Sequence, residues 1–371
     1  MIEGKPEGNG VPVACSHSLV YDERLEAWLV RDLARARTVL GRHDQFSTNG
    51  YQQINPDLSD IRRFLMAPPK RHRLLRRVMV RAFASRRIPV IDQRILAPIA
   101  EELVDKLPFA SVVNLQEAYV APYTRRAMLG IIGLDEEVGD RLVAGFRVAH
   151  RFWIEQGDVA RGMAALSVLQ SEAAQACLNG SRSASEASML GLAYLEDWLG
   201  EGLAVEDLVC LMMSLIEAAA VKAHRDLTAT LLRHIAVMPH GEQERLITTD
   251  AFRAATGEAV RLQRDGYLPR IATQEVDLGG IRVRVGDRVM VAVGDVGVDP
   301  QAFAEPFKFD PWRPDQDKDI SFGIGLHRCV GENIARQLAV RACRTLLAHR
   351  RMSLVARRDT SFDVSLEVVR P

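Results

Sequence analysis

The chain has few cysteines, few aromatics, no excess of either charge and no long apolar run, and each shortage removes a class of function. Five cysteines stand in 371 residues, Cys15, Cys177, Cys210, Cys329 and Cys343, with no CxxC pair among them. That odd, scattered set supports neither a disulfide framework nor a structural zinc site. Lys and Arg number 48 against 48 Asp and Glu, so the net charge is zero and a strongly basic nucleic-acid binder is not expected. Leu208–Ile216, the longest mainly apolar run, is interrupted by Ser214 and ends at Glu217. A spanning helix needs roughly 20 apolar residues, so no membrane segment is expected. The opening MIEGKPEGNG carries no apolar signal core either, which points to a soluble, cytoplasmic protein.

What is present is ordinary globular material: 47% of residues are hydrophobic, enough for a sizeable core and too many for a disordered chain. At about 150 residues per domain the length suggests two or three domains, but that figure is only a prior. With no repeat and no long low-complexity tract, a single domain over residues 1–371 is expected, with 1–24 as a flexible N-terminal segment. Asn179–Ala187 (NGSRSASEA) reads as an exposed loop between helices.

From Arg31 to about Leu246 apolar residues recur at three- and four-residue intervals, as in Ile95–Leu107, Ala121–Ile132 and Val205–Ala236, which predicts helices. After Pro269 the period becomes two: Ile281, Val283 and Val285 alternate with Arg282 and Arg284 between glycine turns, which predicts a small antiparallel meander. Residues 294–325 follow neither period. Glu332–His349 then resumes a helix with Ile334, Leu338, Ala342 and Leu346 on one face. A long irregular segment inside a compact chain is usually functional.

That segment ends in Phe322-Gly323-Ile324-Gly325-Leu326-His327-Arg328-Cys329-Val330-Gly331. Its glycines permit a tight turn and close approach of backbone to a ligand. A cysteine just before a helix N-terminus feels the positive end of the helix dipole, which favours thiolate, and backbone N–H groups of the turn can donate to the sulfur. A lone cysteine is most often a buried structural one; the surrounding pattern changes the odds.

The ten residues closely resemble the FGxGxHxCxG proximal loop of the haem-thiolate superfamily, the cytochromes P-450. The resemblance implies a mainly α fold with small antiparallel β-sheets, haem b (iron protoporphyrin IX) as cofactor, Cys329 as axial iron ligand, Phe322 beside the sulfur and His327 by a haem propionate, with Gly323 and Gly331 shaping the loop. Glu258-Ala259-Val260-Arg261 resembles the ExxR element, which the family pairs with a later arginine, here Arg313 in Phe309–Arg313. By itself such an i,i+3 pair is usually a solvated salt bridge; upstream of this loop it reads as the scaffold that locks the thiolate region. Arg270 after Pro269 and the His72/Arg76 pair resemble the family's propionate contacts, and i,i+4 spacing puts His72 and Arg76 on one side of a helix. The competing reading is a basic solvated or nucleic-acid face, since Lys70–Arg87 holds eight Lys or Arg. Neutral total charge favours the clamp. In all, the resemblance covers roughly Leu25 to Ser365.

The pattern breaks in the oxygen-activation helix. The family commonly has an acid followed by a threonine there, whereas this chain reads Leu215-Ile216-Glu217-Ala218-Ala219-Ala220-Val221-Lys222-Ala223-His224, with no Ser or Thr between Ser214 and Thr228. Glu217, Ala218 and Ala219 are the candidate catalytic positions. A lone Glu on such a helix is more often a surface or paired residue than a proton donor. By resemblance Gln52–Arg63, Phe152, Trp153, Ala218–Lys222 and Gln263–Leu268 lie above the haem, and Arg264, Asp265 and Tyr267 make the last wall polar.

The expected function is oxidation of a small organic substrate in specialised metabolism, with electrons from a ferredoxin and ferredoxin reductase. Arg73, Arg77, Arg341 and Arg344 would form the patch that steers the donor. The missing hydroxyl keeps a peroxide-driven or non-oxygenating haem enzyme in view. A non-catalytic helper of a partner enzyme such as a glycosyltransferase is the third reading, weakened by the intact cysteine loop. Neither nucleic acid nor membrane is expected as partner.

Overall fold

The structure is a computed structural model and describes residues 18–49, 64, 67, 69–108, 111–152, 158–183, 185–221, 223–247, 249–263, 266–349, 351–354 and 365–369. The first described elements are strands β1 (Leu19–Asp22) and β2 (Ala27–Val30), helix α1 (Leu33–Gly41) and the short β3 (Phe46–Ser47). Asp32 caps α1 by accepting from the Arg35 N–H, which fixes where the helix begins. Helices α2 (Pro69–Ala82), α3 (Ile88–Ile91) and α4 (Ala97–Asp105) follow, the last two joined by a π-helical turn over Asp92–Leu96, and then β4 (Ser111–Asn114).

The central bundle comprises α5 (Ala121–Ile132), α6 (Glu136–His150), α7 (Val159–Ser183), α8 (Met189–Leu195), α9 (Val205–Val221), α10 (Ala223–Ala236), α11 (His240–Arg245) and α12 (Thr249–Arg261). Gly133, at φ +96°, ends α5 in the left-handed conformation that a Cβ disfavours. Beyond the bundle come β5 (Tyr267–Ala272), β6 (Val276–Asp277), β7 (Arg282–Val283), β8 (Arg288–Ala292), the single turn α13 (Val293–Val296), the long α14 (Glu332–His349), β9 (Arg351–Leu354) and β10 (Ser365–Val369). Ile334, Leu338, Ala342 and Leu346 are all buried along α14, as their spacing requires.

The fold is mainly α with small sheets, and three of its details differ from the sequence reading. First, the five-stranded sheet β1-β2-β8-β5-β3 is not wholly antiparallel, because β2 runs parallel to β8 with Trp28 opposite Val289. A parallel partner far along the chain needs a long crossover, and here most of the helices supply it. Second, α7 continues through Ser183, so Asn179–Ser183 is helix and Ala187 is buried. Ala173 and Cys177 are buried along α7 and carry the helix past residues of poor propensity. Third, the meander is a two-residue ribbon, β6 against β7. Val283 is buried, but Val285 is 66% exposed because Asp287 closes a turn around it, accepting from the Arg284 N–H.

Two apolar cores form. One gathers the helices from α2 to α12 with α14, and the other packs α1 against the β1-β2-β8-β5-β3 sheet. The irregular segment before α14 is held between them: Ile320 and Ile324 join the sheet core, whereas Phe322 and Val330 pack on the helical one. The cysteine loop is therefore fixed from both sides.

Candidate functional site

Gly323 and Gly325 both adopt φ +70°, which lets the chain double back between Phe322 and Cys329. The turn closes when the Cys329 N–H donates to the Phe322 carbonyl at 2.8 Å. A Cβ at Gly325 would lie 3.4 Å from the Leu40 carbonyl, so the turn sits close beside the end of α1. Backbone N–H groups of Gly331 and Glu332 favour the Cys329 thiolate, as the loop-before-helix reading predicts. The expected thiolate preference is not met by the polypeptide alone. Burial of the sulfur is the largest influence and raises the thiol pKa, with the N–H donors and Arg76 opposing it. The Cys329 residue as a whole remains exposed, so its sulfur has protein packed about it and an open approach.

Phe322 is held from beyond the loop, since the Arg336 guanidinium sits 4.9 Å from its ring centroid and is itself paired with Glu332 at 3.1 Å. Arg76 Nη1 donates to the Arg328 carbonyl at 2.8 Å, which ties α2 to the residue before the cysteine. His72, one helical turn away, is only 1% exposed, and its ring centroid lies 4.7 Å from that of His327. Both nitrogens of His72 and Nδ1 of His327 are buried without a hydrogen-bond partner among the described residues.

Burial pushes His327 down to about 4, helped by His72, Arg270, Arg76 and His43; burial also lowers His72, with Arg76 and Arg73 adding to it. Arg270 is buried in β5 and donates to the Pro269 carbonyl at 2.8 Å. A buried imidazole nitrogen left unpaired costs free energy, and here several stand beside two guanidinium groups. Such a donor set fits a ligand with anionic oxygens, as the carboxylates of haem b provide. His43, exposed just after α1, joins this electrostatic group without having been singled out in the sequence, where nothing but its own imidazole marked it.

Behind the loop, Glu258 and Arg261 on α12 form a bidentate pair at 2.8 and 2.9 Å, and Arg313 reaches the same carboxylate at 2.8 Å. All three are buried. Arg261 also donates to the carbonyls of Gly297, Pro306 and Lys308, and Arg313 to those of Ala304, Glu305 and Lys308. The irregular segment is thus pinned by its own backbone to α12, and the solvated-salt-bridge alternative is excluded.

The arginine patch needs one correction. Arg73 and Arg77 are exposed on α2, but Arg341 is committed to Asp92 through two contacts and is partly buried. On α9, Glu217 is half-buried and has an interaction partner, and Ser214 Oγ donates to the Cys210 carbonyl at 2.8 Å. Ala218 and Ala219 lie in the last turn of α9. Gln52–Arg63, Trp153, Lys222, Arg264 and Asp265 lie outside the described residues. Tyr267 is 47% exposed at the start of β5. Among the described residues no group of three His, Cys, Asp or Glu could hold a metal ion, and no helix is long and apolar enough to cross a membrane.

The family model that matches residues 251–365, the stretch from Glu258 through the cysteine loop, is Cytochrome P450. The chain belongs to the cytochrome P450 family. It is 27% identical over 348 residues to the cytochrome P450 monooxygenase PikC of Streptomyces venezuelae, covering 90% of this chain and 80% of that one. It is 22% identical to the 6-deoxyerythronolide B hydroxylase of Saccharopolyspora erythraea, covering 85% and 82%. A versatile cytochrome P450 enzyme of Bacillus subtilis shares the fold at a TM-score of 0.77 and 21% identity, with 95% of each chain covered. This P450 is accordingly an oxidoreductase of the monooxygenase type, with haem b as its cofactor.

Proposed function

We propose that Cys329 supplies the axial thiolate, that His72, Arg76, Arg270 and His327 hold the haem propionates, and that the enzyme oxidises a small organic substrate in a tailoring step. The observation that carries this reading is the set of unpaired imidazole nitrogens of His72 and His327 beside Arg76 and Arg270, His327 standing two residues before Cys329. When bound, haem b supplies the redox chemistry by which dioxygen and two electrons place one oxygen atom into a C–H bond. The backbone donors on Cys329 withdraw charge from the sulfur and so set how strongly it donates. Gly323 and Gly331 let the backbone pass close beside it, and Phe322, clamped by Arg336, shields it from water.

A ferredoxin-type donor fits the exposed Arg73 and Arg77, whose charge would speed encounter with an acidic partner. Raising the salt concentration should slow reduction; a rate insensitive to salt removes the steering. Glu217, Ala218 and Ala219 stand where proton delivery is expected, yet the nearest upstream hydroxyl, on Ser214, is spent on its own helix. That favours as second reading an enzyme that takes its proton from water or substrate, or uses peroxide. Turnover with a reductase system and dioxygen, compared with turnover on peroxide alone, separates the two. A readout that isolates the proton path is product formed per electron consumed after a threonine is placed at each of residues 218–221. A gain at one of them supports the missing hydroxyl as the cause, and no change at any of them overturns it.

A further inference from the structure

A cavity of about 340 Å³ lies between α5, α6 and α9, at the low end of the size range of small-molecule pockets. Among the described residues, none of those expected above the haem lines it. On its inner side are Met128, Ile132, Val143 and Ile216. Positions 125, 128, 129 and 132 recur at helical spacing, so one face of α5 forms a wall, and Val143 and Arg147 present one face of α6 opposite. Cations stand at the solvent side: Arg147 is exposed with no acidic partner among the described residues, and Arg125 is half-buried and paired with Asp140.

Thr124 is the polar group inside. It is 2% exposed and lines the cavity, and its Oγ1 has no hydrogen-bond partner among the described residues. A helical threonine usually satisfies its hydroxyl on the carbonyl one turn back, and an unpaired buried hydroxyl is costly. A chamber with an aliphatic inner wall, one unsatisfied hydroxyl and, at its mouth, a guanidinium with no acidic partner among the described residues matches a molecule with an apolar body that ends in an anion.

We propose that this cavity binds a small amphipathic carboxylate, with its hydrocarbon part against Ile132, Val143 and Ile216 and its carboxylate on Arg147 within reach of Thr124. Because Ile216 is the residue before Glu217, an occupant would bear directly on the segment of α9 that leads to Ala218 and Ala219.

Octanoate is a suitable probe. To keep it from the haem, the haem-loaded enzyme is first saturated with phenylimidazole, and octanoate binding is then measured by calorimetry and by hydrogen exchange of α5 and α6. The expected result is saturable binding with slower exchange in both helices. Arg147→Glu should weaken it at least tenfold and Ile132→Trp, which fills the chamber, should abolish it, while Arg147→Lys stays within about threefold. Absence of saturable binding, or binding equally strong in Arg147→Glu and Ile132→Trp, overturns the proposal. The haem spectrum of each variant shows whether it has folded.

Discussion

Arg76, on α2, donates to the carbonyl of Arg328, the residue that precedes the cysteine at the other end of the sequence. One hydrogen bond of 2.8 Å thereby joins α2 to the loop that presents the sulfur. His72 lies one turn earlier on the same helix and meets His327 from the same loop. The two contacts bring the imidazoles and the guanidinium together at the cysteine loop.

Replacement of these groups should therefore loosen haem without unfolding the chain. Arg76→Ala and His72→Phe each remove a donor to a charged carboxylate, worth about 1.5 to 3 kcal/mol. Each variant should release haem to apomyoglobin on the order of ten to a hundred times faster than the unmodified enzyme, with little change in helical circular dichroism. An unchanged release rate in both variants would mean that these residues do not face the propionates.

The buried carboxylate behind the loop should behave differently. Arg313→Ala leaves Glu258 with Arg261 and the Asp310 N–H and removes one donor each from the carbonyls of Ala304, Glu305 and Lys308, and Glu258→Gln leaves two guanidinium groups facing a neutral amide. Breaking a buried ion pair from one side typically costs about 3 to 5 kcal/mol. Urea denaturation should report a loss of that size for each, and a loss under about 1 kcal/mol would show that the network does not anchor the segment.

A third expectation concerns acid. His234 on α10 stacks on Phe309 with centroids 4.4 Å apart, and burial lowers it to about 4, with Arg233 and Arg261 adding to the effect and Glu258 opposing it. An unfolded imidazole titrates near 6.5, so between about 6.5 and 4 the unfolded chain binds a proton that the native one refuses. The stability this neutral histidine permits is whole above about pH 6.5 and drains away as the pH falls toward 4. His234→Phe should remove that share of the slope, so the enzyme's disadvantage relative to the variant should grow by about 2 to 3 kcal/mol across the window. Parallel stability curves for the two proteins would show that His234 is not the titrating group.

Much of this site was legible in the sequence because it is local. The cysteine loop packs its glycines, histidine and sulfur within ten residues, and helical spacing alone placed His72 with Arg76 and Glu258 with Arg261. Three things lay beyond local pattern. Arg341 sits on the helix after the loop and looks free in sequence, but folding brings Asp92 from the far side of the chain against it. The parallel pairing of β2 with β8 depends on a crossover of over 250 residues, whose geometry no short-range period encodes. The cysteine's surroundings raise its pKa where the helix terminus alone would lower it, because burial depends on packing from both cores.

Ligation of the haem iron by the sulfur of Cys329 underlies every role proposed for the loop. The most direct test is the optical spectrum of the dithionite-reduced enzyme under carbon monoxide, recorded beside Cys329→Ser and Cys343→Ser. A strongly red-shifted Soret band in the unmodified enzyme and in Cys343→Ser, absent from Cys329→Ser, is the predicted result. A red-shifted band that survives in Cys329→Ser, or its absence from the unmodified enzyme with haem bound, would contradict it.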